Sequence, residues 1–112
     1  MSKTIVEVTT PEVKQVKKIL MKHKGKKRSI TSAEIADILG IDDGDTHSQV
    51  RYLIKRCVYS YHIPLAGDVN GYYIITCQEE LDEYCDNLEL RARQIHQRKN
   101  KMKKFYEEYT NA

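Results

Sequence analysis

Six of the polar side chains within residues 46–59, THSQVRYLIKRCVY, are Ser48, Gln49, Arg51, Tyr52, Lys55 and Arg56. Arg, Lys, Gln and Ser are the residue types that hydrogen-bond base edges and phosphate oxygens in the DNA major groove. No Asp or Glu interrupts the run. These side chains can act together only if one element turns them to the same side. Read as a helix, the run puts Val50, Leu53, Ile54 and Cys57 at i, i+3, i+4 and i+7, which is one buried stripe. Ser48, Tyr52, Lys55 and Tyr59 then lie opposite, flanked by Gln49, Arg51 and Arg56. The plainer reading of the same pattern is an amphipathic helix with a solvated basic face.

A second group of cations lies in HKGKKR at residues 23–28, where Lys24, Lys26, Lys27 and Arg28 crowd together just after Lys22. Such a group repels itself and gains by meeting phosphates, although a solvated turn would look the same. No catalytic constellation accompanies these cations. Ser48 follows His47, but no acid is placed to orient the imidazole, and residues 23–28 lack P-loop spacing. The acidic pairs Glu79-Glu80 and Asp82-Glu83 read as solvated helix surface. Cys57, Cys77 and Cys85 form no CxxC, and His23, His47, His62 and His96 lack ligand spacing. The expectation is a protein that is not an enzyme and has no cofactor and no metal.

The chain has 112 residues, enough for one small domain and an extension but not for two full cores. The net charge of +3 is by itself a weak pointer to a polyanion. No apolar run is long enough to span a bilayer, and MSKTIVEV lacks an apolar signal core, so a cytoplasmic location without membrane association is expected.

The positioning elements follow in order. Residues 4–8 are β-prone. Thr10-Pro11-Glu12 starts a first helix, with Val13, Val16, Ile19 and Leu20 inward as far as about His23. Thr31 and Glu34 form a capping box, with Ile30 and Ile35 at the staple positions. A short helix follows, with Ile35, Ile38 and Leu39 inward, and Gly40 closes it. After a turn at residues 41–45, Thr46 and Gln49 offer a second box into the basic helix. Residues 62–66 and 72–75 then read as a β-hairpin about a turn at residues 67–71, with Pro64 confining its strand to an edge.

Residues 30–76, carrying TSAEIADILG, VRYLIKR and IPLAGDVNGYYI, resemble a winged helix-turn-helix domain of the kind found in many bacteriophage-encoded proteins. The resemblance implies that the third helix is a DNA-recognition helix and that NGYY is the returning wing strand. It also implies the host cytoplasm as the location of a phage-encoded protein. Two departures stand out. Ser60-Tyr61-His62 occupies the place where Gly or Asn usually closes the third helix. The wing tip carries Asp68 and no cation, which assigns backbone contacts to Lys24, Lys26, Lys27 and Arg28.

A third capping box, Thr76 with Glu79, opens a helix with no Gly or Pro as far as about Tyr109. Leu81, Tyr84, Leu88, Arg91, Ile95, Arg98, Met102, Phe105 and Tyr109 step by alternating three and four, the spacing of a coiled-coil seam. Arg91 and Arg98 interrupt that seam. Acids from Glu79 to Glu89 precede cations from Arg91 to Lys104, which favours antiparallel pairing of two copies; the competing reading, which the two seam arginines favour, is a helix that folds back on its own domain with its basic half as a solvated or DNA-touching tail. The expected fold is therefore mainly α with a small β-hairpin. Residues 1–76 form a winged helix-turn-helix domain, and 77–112 form a long helix that dimerises through Leu88, Ile95, Met102, Phe105 and Tyr109. The expected function is sequence-specific binding of double-stranded DNA by a homodimer, as a phage or prophage regulator of transcription or a replication-origin binder. The competing expectation is a winged-helix module that binds and modulates a host or phage protein.

Overall fold

A computed structural model of the chain describes residues 10–42, 44 and 47–112. The β-prone stretch 4–8 and the Thr46 cap lie outside the described residues. The fold is mainly helical, with one antiparallel hairpin. Helices α1 (Pro11–Leu20), α2 (Ser32–Leu39) and α3 (Ser48–Tyr61) come first. Strands β1 (Leu65–Asp68) and β2 (Gly71–Ile74) follow, and helix α4 (Gln78–Thr110) ends the fold. Two compact units divide the chain, one ending at Leu81 and the other Asp82–Ala112. No described helix is long and apolar enough to cross a membrane.

Local chemistry sets the helix ends. The Thr10 hydroxyl accepts from the Val13 N–H at 3.3 Å, with Pro11 at the first helical position where its missing N–H costs nothing. The Thr31 hydroxyl accepts from the Glu34 N–H at 3.1 Å, while the Glu34 carboxylate accepts from the Thr31 N–H at 2.9 Å. These reciprocal bonds hold the Glu34 carboxyl below its ordinary range. Gly40 closes α2 in the left-handed region at φ 73°. His62 closes α3 in that same region at φ 55°, so a histidine does the work usually given to Gly or Asn.

The first unit is built on α1 and α3, which pack chiefly against each other. Val13, Val16, Ile19 and Leu20 of α1 meet Val50, Leu53, Ile54 and Cys57 of α3 in one core. Lys17 lies over the Tyr61 ring at 4.4 Å to its centroid and seals the edge of that contact. Ile30, Ile35, Ala36, Ile63 and Ile74 complete the core. Ile38 does not join it. It is 58% exposed, because Ile35, Ala36 and Leu39 form the face of α2 that meets the core and Ile38 points about 100° away from the middle of that face.

The first strand of the hairpin starts later, and the turn is tighter, than the β-prone runs suggest. Its register pairs Leu65 with Ile74 and Asp68 with Gly71, leaving only Val69 and Asn70 in the turn. The Asp68 carboxylate accepts from the Asn70 N–H at 2.8 Å and fixes that turn. Pro64 precedes the strand, and its carbonyl accepts from the Ile75 N–H at 2.9 Å.

The segment between α1 and α2 covers the other edge of β2. The Tyr72 N–H donates to the Ile30 carbonyl at 2.7 Å, and the Ile30 N–H donates to the Tyr72 carbonyl at 2.9 Å. The Gly25 N–H donates to the Ile74 carbonyl at 2.8 Å, and the Ile74 N–H donates to the His23 carbonyl at 2.9 Å. Gly71 makes this approach possible, since a Cβ there would collide with the Ile30 backbone.

Helix α4 starts at Gln78, and the acid that reaches back over its start is Glu80, not the expected Glu79. One Glu80 oxygen accepts from the Thr76 N–H at 2.8 Å and from the Thr76 hydroxyl at 3.0 Å. The other accepts from the Lys26 N–H at 2.9 Å. The Lys26 amide bond, followed by the Thr76 bonds, holds the Glu80 carboxyl below its ordinary value of 4.5. Its stabilising effect is therefore full above the ordinary carboxylate range and is lost as pH falls through the lowered value.

Two outcomes test this account. Leu53→Ala is expected to destabilise the domain by about 2–5 kcal/mol in a denaturant titration, the range for large-to-small changes in a packed core. Glu80→Gln is expected to lower stability at neutral pH and to speed hydrogen exchange of the Lys26 amide. The gap from wild type should close as pH drops below the carboxylate range, and a gap independent of pH would exclude the charge as its source.

Candidate nucleic-acid interface

Burial of the α3 stripe fixes the rotation of the helix. Val50, Leu53, Ile54 and Cys57 are all buried, so the opposite side faces outward over four turns. Ser48, Gln49, Arg51, Tyr52, Lys55 and Tyr59 are all exposed, Tyr52 by 55%. Arg56 is half-buried, and its guanidinium donates to the Tyr52 hydroxyl at 2.5 Å while lying 5.5 Å from that ring's centroid. Tyr52 and Arg56 thus hold each other at i, i+4, and the planar guanidinium is held over the tyrosine instead of sweeping freely through solvent. The resulting face offers donors from Arg51, Lys55 and Arg56 and the mixed hydrogen-bonding groups of Ser48, Gln49 and Tyr52. It carries no acid from Ser48 to Tyr61.

The thiol beneath this face is inert. Burial pushes Cys57 up to about 11, against a small opposing effect of Lys17. Cys77 and Cys85 are exposed. Among the described residues no group of three or more His, Cys, Asp or Glu side chains is placed to hold a metal ion.

The basic loop is more rigid than its composition suggests. Lys26–Arg28 form a 3₁₀ turn. The His23 ring lies 2.8 Å from the Arg28 carbonyl, the Ser29 hydroxyl donates to the Lys26 carbonyl at 3.2 Å, and Glu80 takes the Lys26 amide. Backbone bonds to β2 anchor both ends, so the side chains of Lys24, Lys27 and Arg28 leave a fixed scaffold and remain exposed. Sequence reasoning missed Glu80 as the clamp on this loop. The available signal was the position of Glu80 three residues after Cys77, the residue just before α4. The hairpin tip, by contrast, presents Asp68, a 99% exposed Val69 and Asn70.

In the second unit every residue from Cys85 to Ala112 is exposed. The seam residues Leu88, Ile95, Met102, Phe105 and Tyr109 recur on one side of the helix, with Ile95 63% and Tyr109 82% exposed.

If α3 donates to base edges, Arg51→Ala or Lys55→Ala is expected to cost about 1–3 kcal/mol of binding to a preferred site. Replacing Lys24 and Lys27 together is expected instead to weaken binding to every sequence equally and to flatten its salt dependence. Fluorescence anisotropy with specific and random duplexes separates the two effects. Comparison of the chain with protein-family models, curated proteins and solved structures found no match.

Proposed function

We propose that this chain binds double-stranded DNA sequence-specifically through a winged helix-turn-helix domain and acts as a homodimer, as a regulator or origin-binding protein of a phage or prophage. The observation that carries the reading is the acid-free outward face of α3, set opposite a fully buried stripe. The order of elements supports it. A helix, a segment that pairs with the returning hairpin strand, two helices and then the hairpin is the order of a winged helix. In this reading Ser48, Gln49, Arg51, Tyr52, Lys55 and Arg56 meet the groove, and Lys24, Lys26, Lys27 and Arg28 meet phosphates.

The dimer rests on α4. Its apolar residues recur on one side of the helix, interrupted by Arg91 and Arg98, and a second copy is the simplest partner for a self-complementary strip. Ile95→Glu combined with Met102→Glu is expected to convert a dimer to a monomer in sedimentation velocity without changing the melting temperature of the first unit. A wild-type protein that sediments as a monomer at all concentrations excludes α4 as the dimer element.

The hairpin tip favours a second reading. Asp68 and the exposed Val69 suit a protein surface better than a phosphate backbone, so a winged-helix module that binds an acidic host or phage protein through α3 is the alternative. A gel shift against random and genomic DNA fragments, repeated across salt, discriminates between them. Retarded bands that weaken steeply with salt support DNA, and absence of retardation at low salt supports the protein partner.

A further inference from the structure

The cations of the acid-free stretch 91–104 of α4 are given no role by the reading above. It carries Arg91, Arg93, Arg98, Lys99, Lys101, Lys103 and Lys104, with no Asp or Glu between Glu89 and Glu107. All seven cations are exposed. We infer that this stretch is a second DNA-binding element, a basic helix that lies along double-stranded DNA.

Three observations carry the inference, which rests on DNA being the partner of this protein. First, the helix dipole does not account for the cations. The last turn of α4 contains no basic residue, and Lys104 stops six residues short of Thr110, whereas the dipole acts within the final turn. Second, the helix does not neutralise them. Arg91, Arg98, Lys99 and Lys101 have no acid three or four residues away in either direction. Instead, Arg98 and Lys101, Lys99 and Lys103, and Lys101 and Lys104 stand at like-charged helical spacings, which destabilises an isolated helix. A polyanion turns that repulsion into binding energy by releasing its own counterions.

Third, the cations surround the helix. At about 100° per residue, Arg91 and Arg98 share the apolar seam, Lys99, Lys101 and Lys103 lie to its sides, and Arg93 and Lys104 lie behind. A helix resting on a lipid surface keeps its cations off the apolar face, and an acidic protein surface meets one side only. A helix paired along its seam still leaves Lys99, Lys101 and Lys103 at its sides and Arg93 and Lys104 behind, where the floor and phosphate walls of a major groove can meet them. The stretch spans about 20 Å.

The test measures full-length protein binding to a short random-sequence duplex by fluorescence anisotropy across salt concentrations. It compares wild type with a variant carrying Gln at positions 93, 99, 101, 103 and 104. Gln preserves helix propensity, and circular dichroism and sedimentation confirm fold and oligomeric state. The slope of log affinity against log salt is expected to fall by about 3 or more, at about 0.9 per lost phosphate contact. A companion variant with Arg at positions 99, 101, 103 and 104 is expected to keep the wild-type slope, which preserves the test should the Gln variant lose structure. If the Gln variant keeps wild-type affinity and slope, the inference is wrong and the reading of α3 stands. If wild type fails to bind any duplex at low salt, the DNA reading fails and this inference falls with it. Equal binding of wild type to anionic phospholipid vesicles, lost in the same variant, would overturn DNA as the occupant.

Discussion

The packing of α1 against α3 is the contact on which the remaining geometry depends. Four apolar side chains of α3, two of them β-branched, are driven out of water against four of α1. Each helical residue turns about 100°, so burial of this stripe leaves no freedom in what the other side presents. The chemistry of the outward face is thus a by-product of the core. The same hydrophobic free energy that folds the domain also orders a set of polar groups, which on a disordered chain would have to pay their own conformational entropy on binding.

Polar interactions then extend this order to a segment that has no apolar side chain of its own to bury. Residues 23–28 are held by β2 on one side and by the Glu80 carboxylate at the start of α4. An acid placed among cations usually acts through charge. Here its principal bond is to a main-chain amide, which shapes the loop and leaves the lysine ammonium groups outside. The two units of the chain differ in how they are held together. The first has a core. The second is a helix without a buried residue, held by its backbone bonds.

Much of the first unit was legible in the sequence because its signals are local. The Thr10-Pro11 start, the Thr31–Glu34 box and the left-handed Gly40 each depend on residues within one helical turn, and all form as their spacing implies. The buried stripes of α1 and α3 were legible for the same reason. The features that escaped depend on long-range contacts. Ile38 follows the helical period from Ile35 as Leu39 does, but the core lies on the Ala36 side of Ile35, so Leu39 packs against it and Ile38 stays outside. The pairing of residues 23–30 with β2 joins segments more than forty positions apart and has no periodic signature, so a structured loop reads as a solvated one. The choice of Glu80 over Glu79 follows from where the Lys26 amide arrives in space. In the candidate site, the direction of each α3 side chain was legible, whereas the clasp of Arg56 on Tyr52 and the rigidity of the basic loop were not.

The two-sided pairing of β2 has a consequence for how the molecule behaves at high concentration. Within the described sheet it leaves β1 as the strand with an open side, and open strand sides are where separate molecules zip together into aggregates. That side is poorly suited to zipping. The strand has four residues, Pro64 stands immediately before it without an N–H to offer, and Asp68 ends it with a charge. At its start the Leu65 N–H is already turned back onto the Ile63 carbonyl at 2.9 Å. A chain rich in exposed cations and aromatic rings on its helices thus keeps the open backbone edge of its described sheet short, charged and partly self-satisfied.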